Sequence, residues 1–530
     1  MEASQKRKLT NAAVIVMSSI IVSRISGFFR EMLIPNMLSP GEADAYIMAF
    51  KITDLMYNLL VGGAIAAALI PVLSGYIEKK DEEEGWKAVG TFVNIIFLAM
   101  SVICILGMIF APWLVPIIAY GFNSESTDLT IRLTRILFPS VSFIMLAGLT
   151  NGILNSYSRF AASAYGPTLY NIGGALSLLI LSRFGVEKVA YGVMFSALLY
   201  FLFQLSFAAK NLKRYRFKIY PKHPGFIKLF RLAIPSLVSS SIVQINVLVS
   251  AMFVTLFGNG SVNAFNMADK TWQMPYGIFA QGIGIAMLPA LSSRFAAHDM
   301  EGYKKIFIKS LKTVLLLSIP SAIGLIILRE SVIKTIFQWS SKFNQNLIPM
   351  AGSILMFFSI ALLTQSTVAT ANRAFYAVND TKSPLFVGAG TILVNLGLSW
   401  FFYRYTSLGV AGMAFSYSIT STLNAVLLLS ILNRKMNGVY IKKLVIFLFK
   451  VIPASVAMGM ILFVTSRFAD FSTSPKPIQL VYLSLQIITG VLIYFIIVIV
   501  ARVEEAIYVW ETVRSKIKII NTKIMKNFSR

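Results

Sequence analysis

Charge is the scarcest feature of this chain. Only 13% of its 530 residues are Asp, Glu, Lys or Arg, 56% are hydrophobic, and the mean hydropathy is +0.72. A water-soluble protein of that length needs far more polar surface, so a soluble fold is excluded. The single cysteine, Cys104, excludes an intrachain disulfide and any multi-cysteine metal site. The two histidines, His223 and His298, fall in basic or polar connectors and read as solvated loop residues. No connector between apolar runs exceeds about 25 residues, which leaves no room for a sizeable catalytic domain outside the membrane. There is no G-x-x-x-x-G-K-[ST] loop and no H-E-x-x-H. A built-in ATPase is therefore excluded, and a membrane-embedded enzyme acting on polyprenyl phosphates is disfavoured.

What the chain has is apolar runs of about 20 residues, each long enough to cross a hydrocarbon core of about 30 Å. They do not alternate apolar and polar residues as barrel strands do. The chain reads as an all-α polytopic membrane protein with about fourteen spans: 12–34, 45–77, 89–112, 130–156, 163–182, 189–209, 230–257, 263–292, 307–328, 347–372, 383–403, 408–433, 444–466 and 478–501. The basic start MEASQKRKLT is followed by no small-residue cleavage site, so the first run is expected to be a retained span. Most Lys and Arg residues fall in that start, the even-to-odd connectors and the tail 502–530, whereas connectors 34–44 and 113–129 have none. Both termini are thus expected to be cytoplasmic, in the plasma membrane. The net charge of +26 then lies mostly where anionic lipids attract it, and no soluble domain exists to carry a nucleic-acid groove. The tail reads equally as a basic surface helix or as a partly disordered end.

The two halves repeat at an offset of 217–219 residues. AYIMAFKITDLMYNLLVGGAIA (45–66) lies over AFNMADKTWQMPYGIFAQGIGI (264–285), PVLS (71–74) over PALS (289–292), GWK (85–87) over GYK (302–304), and Asn155 and Pro167 over Asn372 and Pro384. Six spans per copy gives both copies one orientation, hence two six-helix lobes related by a pseudo-two-fold axis along the membrane normal, with two extra C-terminal helices. The expected organisation is an N-terminal lobe 1–209, a basic linker 210–229, a C-terminal lobe 230–433, helices 13–14 over 434–501 and a basic tail 502–530. Substrate sites in parallel-repeat transporters lie between the halves. Gly62, Gly63 and Pro71 in span 2, and Pro275, Gly282 and Pro289 in span 8, interrupt the corresponding helices as hinges or as close-packing points.

Arg24, Arg30, Lys51, Arg132, Arg135 and Lys270 fall inside apolar runs, where each cation costs roughly 2.5–3.5 kcal/mol on the insertion scale. Arg24 is near the middle of span 1, where snorkelling is hardest; Arg30 is nearer the outer end and has an outward escape. Six residues separate them, about 120° and about 9 Å apart, which suits two walls of a cavity or two phosphates. Glu31 lies on the face of Arg24 at i+7. Lys51 and Asp54 are spaced for a local ion pair, and Lys270, beside Asp269, stands at the repeat-equivalent of Lys51. Arg132 and Arg135 read as interfacial anchors. Fixed positive charge in low dielectric binds an anion, and Arg adds geometry suited to phosphate.

SRISGFFRE (23–31) and ADAYIMAFKITDLMYNLLVGGAIAAALIPVLSGY (43–76) resemble the first two helices of the MurJ family of bacterial lipid II flippases. That family lies within the multidrug/oligosaccharidyl-lipid/polysaccharide exporter superfamily. The likeness continues in NGILNSYSRFAASAYGPTLYNIGGAL (151–176), FNMADKTWQMPYGIFAQGIGIAMLPALSSRF (265–295) and ANRAFYAVNDTKSPL (371–385), and covers about residues 10–435. It implies a fourteen-helix fold with a cationic cavity that moves undecaprenyl-pyrophosphate-linked disaccharide-pentapeptide from the inner to the outer leaflet by alternating access, for peptidoglycan synthesis. The family's essential arginines fall on Arg24 and Arg30, its following acid on Glu31 and its acid before helix 2 on Asp44. The family's Ala-Asp-Arg of helix 8 is Ala268-Asp269-Lys270 here. Many relatives carry an Arg near Asn58 and a Glu near Gly62; with one cavity cation missing, Lys51 is the candidate to compensate. The resemblance also implies that the last two helices hold the lipid tail.

The substrate-binding set is accordingly Arg24, Arg30, Lys270 and Lys51, with Glu31, Asp44, Asp54 and Asp269 as supporting charges. Partners are lipid II or a related polyprenyl-pyrophosphate-linked sugar, anionic lipids and other cell-wall synthesis proteins. No cofactor is expected. Coupling to Na⁺, H⁺ or the membrane potential stays open, with Asp269, Asn372, Asn379 and Asp380 as candidate Na⁺ ligands. Two alternatives remain: a flippase for another polyprenyl-linked oligosaccharide, and a cation or drug antiporter of the same superfamily. The excess of in-span cations over acids argues against the antiporter.

Overall fold

A computed structural model describes residues 2–60, 68–438, 440–468, 474–507 and 510–511; Gly62 and Gly63 lie outside them. The described residues are helical nearly throughout, as chains in a bilayer must be if every backbone polar group is to be satisfied internally. Ten helices among them are long and apolar enough to cross a membrane. The chain divides into two compact units, one formed by 1–266 with 337–347 and the other by 267–336 with 348–530.

The first unit holds α1 (Glu2–Met37), α2 (Pro40–Leu60), α3 (Ile70–Glu78), α4 (Glu82–Ile118), α5 (Ser124–Ser156), α6 (Phe160–Leu181), α7 (Val186–Leu212) and α8 (Pro224–Val254). Helix starts follow local chemistry. Glu82, Glu83 and Glu84 open α4, where carboxylates favour the positive end of the helix dipole. The Asn123 side chain caps α5 by accepting from the Ser126 N–H at 2.8 Å. Against α1 packs α6, and α5 and α6 both pack on α7. The α6–α7 approach is made by small residues on both sides. A Cβ added to Gly173 would sit 2.4 Å from Ser196 Oγ, and one added to Gly192 would sit 2.4 Å from Ser177 Oγ. This reciprocal Gly-xxx-Ser pairing is how membrane helices come close without a hydrophobic driving force.

The basic connector after α7 is exposed, yet its backbone is tied to α4. Asn94 of α4 donates to the carbonyls of Arg216 (3.3 Å) and Lys218 (2.9 Å), and the Tyr220 N–H donates to Thr91. His223, expected to be a solvated loop residue, has a side chain only 10% exposed. Its Nε2 lies 2.8 Å from Glu84 and its Nδ1 accepts from Gly225, so it caps α8. Helix capping uses the ring that loop composition alone leaves idle.

The second unit holds most of α9 (Ser261–Tyr276), a π-helical turn (Gly277–Gln281), α10 (Gly282–Ala296), α11 (Met300–Ile327), α12 (Arg329–Phe337, whose last residue joins the first unit), α13 (Leu347–Ala377, entered from the first unit), α14 (Lys382–Tyr405), α15 (Ala411–Lys435), α16 (Ile441–Ser466) and α17 (Lys476–Val500). Its core runs from Leu291 and Phe307 through Phe375 and Leu428 to Val451 and Tyr494. The Tyr494 hydroxyl donates to the Leu316 carbonyl at 2.7 Å, binding α17 to α11. Span 8, read as one interrupted run, is α9 and α10 joined by the π turn. Pro275 falls just before that turn, Gly282 just after it, and Pro289 lies within α10. Pro71 occupies the first turn of α3, where its missing N–H costs nothing.

Candidate functional site

In the first unit the site forms around Arg30. Its Nη2 donates to Glu31 at 2.9 Å, with side-chain exposures of 16% and 11%. Glu31 in turn accepts from Asn266 Nδ2 at 2.9 Å, at the start of α9. The guanidinium lies 5.7 Å from the Phe50 ring centre and 5.6 Å from that of Tyr170, so α2 and α6 supply π faces on which a cation is stabilised. Arg30 does not take the outward escape open to it by position. Gly174 leaves room for it: a Cβ there would sit 2.8 Å from Arg30 Cδ, so glycine lets the arginine stem lie close on α6. One turn earlier, Gly27 sits against Asn171, whose amide donates to the Ser23 carbonyl at 3.2 Å.

Arg30, Phe50, Asp54, Tyr57, Tyr170 and Asn171 line one cavity of about 290 Å³. It brings together a cation, a carboxylate, phenol hydroxyls and an amide, the groups that orient a polar, negatively charged ligand. Lys51 is half-buried one helical turn from Asp54, with its ammonium 5.8 Å from the Phe265 ring centre. Arg24 is not covered by protein. Arg24, near the middle of span 1, is thus exposed on the protein, and Arg30 is the one the protein encloses. The Glu31 carboxylate pairs with the adjacent Arg30, whereas the i+7 spacing had placed it on the face of Arg24.

Asp44 is 1% exposed and does a different task. Its two carboxylate oxygens accept from the backbone N–H groups of Gly260 (2.6 Å) and Asn263 (2.7 Å). An anion there satisfies donors that the first turn of α9 would otherwise leave orphaned, and it fastens α2 to that turn. Arg132 pairs with Glu187 at 2.9 Å, and Arg135 donates to the Met108 carbonyl at 3.0 Å. Both are exposed and locally engaged, as interfacial anchors are.

In the second unit Lys270 is half-buried on α9. Its neighbour Asp269 accepts from Trp272 Nε1 (3.1 Å) and Gln273 Nε2 (2.7 Å), one turn on. The Trp272 ring packs on Phe358 and Tyr417 with centres 5.9 and 6.3 Å apart, and Gln365 donates to the Tyr417 hydroxyl. Asp380 and Asn379 cap and turn a loop. Asp380 accepts from the Ser383 N–H and hydroxyl and from Lys435, and Asn379 takes a left-handed φ of 58°. Among the described residues no cluster of three or more His, Cys, Asp or Glu side chains is placed to hold a metal.

Sequence reasoning passed over several charges that the fold places with care. Lys312 of α11 pairs with Glu505 at 3.2 Å, their side chains 13% and 7% exposed, and its ammonium lies 5.6 Å from the Phe447 ring centre. Lys450 of α16 donates to the Ala501 carbonyl. Arg373, near the end of α13, packs against Gly284 of α10. Their position inside the span boundaries 307–328 and 444–466 was the available signal for Lys312 and Lys450.

The sequence profile of the family described as "Lipid II flippase MurJ" matches residues 41–482. The chain is 26% identical over 442 residues to the lipid II flippase MurJ of Burkholderia cenocepacia, covering 82% of this chain and 85% of that protein. It is 28% identical over 502 residues to the probable lipid II flippase MurJ of Rhizobium tropici, covering 92% and 93%. Its fold is similar to that of a solved lipid II flippase MurJ in an inward closed conformation, with a TM-score of 0.76, 24% identity, and 91% and 98% of the two chains covered. It is also similar to an inward-facing multidrug resistance MATE transporter of the MOP superfamily, with a TM-score of 0.70 and 16% identity over 81% and 98%. A family match over residues 41–482, more than four-fifths of the chain, places this protein in the MurJ lipid II flippase family.

Proposed function

We propose that this protein moves lipid II, a polyprenyl-pyrophosphate-linked disaccharide-pentapeptide, from the inner to the outer leaflet of the bacterial plasma membrane. It is a transporter and performs no covalent step. The observation that carries the reading is the family match over residues 41–482. The chemistry of the first unit supports it: Arg30 lines a cavity whose aromatic and amide walls suit a phosphate attached to a sugar. Arg24, Arg30 and Lys51 in the first unit, and Lys270 in the second, are the cations assigned to the pyrophosphate. Glu31 and Asn266 orient Arg30, and so hold its guanidinium ready for a bidentate phosphate contact.

The wider arrangement belongs to the same reading. Fourteen spans form two six-helix lobes with pseudo-two-fold symmetry, both termini are cytoplasmic, and the last two helices hold the lipid tail. The lobes alternate access by bending within span 2 and at the π turn after α9. Without an ATP site, the work comes from an ion gradient, the membrane potential or the substrate gradient.

The test is depletion in cells that lack any redundant flippase. Lipid II labelled at the outer surface should fall and inner-leaflet lipid II should accumulate. Unchanged surface exposure of lipid II would overturn the reading. If a different polyprenyl-linked oligosaccharide disappears from the surface, the superfamily assignment stands and the cargo changes.

A further inference from the structure

Arg373 is the one half-buried arginine of the second unit for which no hydrogen bond or ion pair is found among the described residues, and it sits in a place built to receive it. It lies on α13, one turn before the helix ends at Ala377. An arginine serving only as an interfacial anchor reaches outward to water and headgroups. This one turns onto α10 instead. Gly284 of α10 is buried, and a Cβ built on it would sit 3.5 Å from Arg373 Nε and 3.6 Å from its Cγ. Tyr276 ends α9 and Gln281 ends the π turn, both just before Gly284 on the same run. The nearby carboxylates are engaged elsewhere: Asp380 with Lys435 and Ser383, and Asp269 with Trp272 and Gln273.

The repeat adds a second, independent observation. Asn372 corresponds to Asn155, so Arg373 stands where the first half has Ser156. Ser156 is buried and spends its hydroxyl on the Gly152 carbonyl. The shared packing of the two halves therefore does not require a cation at this position. The charge belongs to one half alone, amid donor groups and beside the π turn, an irregularity often found at functional sites.

We propose that Arg373, with Tyr276 and Gln281, forms a binding point in the second unit for a phosphate-ester anion, distinct from the cations already assigned. Its ligand is the pyrophosphate of the polyprenyl carrier, met at the end of α13 that the basic connectors mark as cytoplasmic. The cargo's head is thereby captured on the inner side. This rests on the flippase reading above.

The experiment uses the full chain in phosphatidylcholine nanodiscs, titrated with farnesyl pyrophosphate, with farnesol as the neutral control and phosphatidylglycerol as an anionic competitor. Arg373→Gln is expected to weaken farnesyl pyrophosphate binding roughly tenfold or more, as loss of a charged hydrogen-bonding group does. Arg373→Lys should give an intermediate value, and farnesol binding should not change. Wild-type affinity in Arg373→Gln, with Arg24→Gln weakened, would sink this site and leave the flippase reading standing. Equal competition by phosphatidylglycerol would also sink it, by making the site one for bulk lipid headgroups. If Arg373→Gln does not fold, Arg373→Lys and Gln281→Leu carry the comparison against the same probes. The depletion test of surface lipid II is a separate readout, so its failure does not imitate a failure here.

Discussion

At the scale of single residues the governing fact is that Arg30 is held on three sides. Glu31 neutralises it, Phe50 and Tyr170 face it, and Gly174 leaves room for its stem. Gly174→Val is expected to push the arginine out of the cavity and to lower rescue of flippase-depleted cells at least as much as Arg30→Lys does. Gly174→Ala should be milder, because the clash is with a flexible side chain. A dose-controlled complementation assay reads the order. Arg30 also shows what a sequence leaves hidden. Depth along α1 is legible from the apolar run, and it marked Arg24 as embedded. Rotation about the helix and the close approach at Gly174 of α6 are tertiary, so which arginine the protein encloses was not legible from α1 alone. The signal lay far along the chain, at Gly174.

At the scale of elements, two carboxylates fasten helices that sequence order keeps apart. Asp44 satisfies two N–H groups of the first turn of α9 from its place on α2. Asp44→Ala strands those donors, each at a cost of about 1–3 kcal/mol, and should lower the melting temperature in detergent more than Asp44→Asn, which keeps one acceptor oxygen. Asp380 lies outside the spans and joins the loop after α13 to the end of α15. Burial pushes its carboxyl up, but hydrogen bonds from Lys435 and from the N–H and hydroxyl of Ser383 outweigh this and hold it at about 2. Its folded value lies below the unfolded value of about 3.9. The stability it contributes is therefore complete above about pH 4 and lost as pH falls from about 4 to about 2. Asp380→Asn should flatten the pH dependence of melting in that window and leave the rest of the profile unchanged. The helices themselves were legible, because apolar length specifies them. Which acid serves as a cap and which as a ligand depends on where the next helix begins.

At the scale of the whole molecule, the stretch after α17 is joined to α11 by a buried pair, Lys312 with Glu505. Breaking such a pair on one side typically costs about 3–5 kcal/mol, while replacing both partners by apolar residues is often near neutral. Glu505→Gln should thus destabilise the detergent-solubilised protein strongly. The double variant Lys312→Met with Glu505→Met should recover most of the loss, as measured by thermal unfolding. Hydropathy sets 502–530 apart from the last apolar run, and it could not show that Glu505 meets a lysine some 190 residues earlier.

The π turn Gly277–Gln281 has a consequence of another kind: it makes residue number itself part of the site. Such a turn accommodates one residue more than an α-helical turn does. A relative one residue shorter here would carry Gly284 about 100° around the α10 axis, away from Arg373, with every aligned side chain unchanged. Length at this point, which substitution tables do not see, then decides whether Gly284 lies against Arg373 at all.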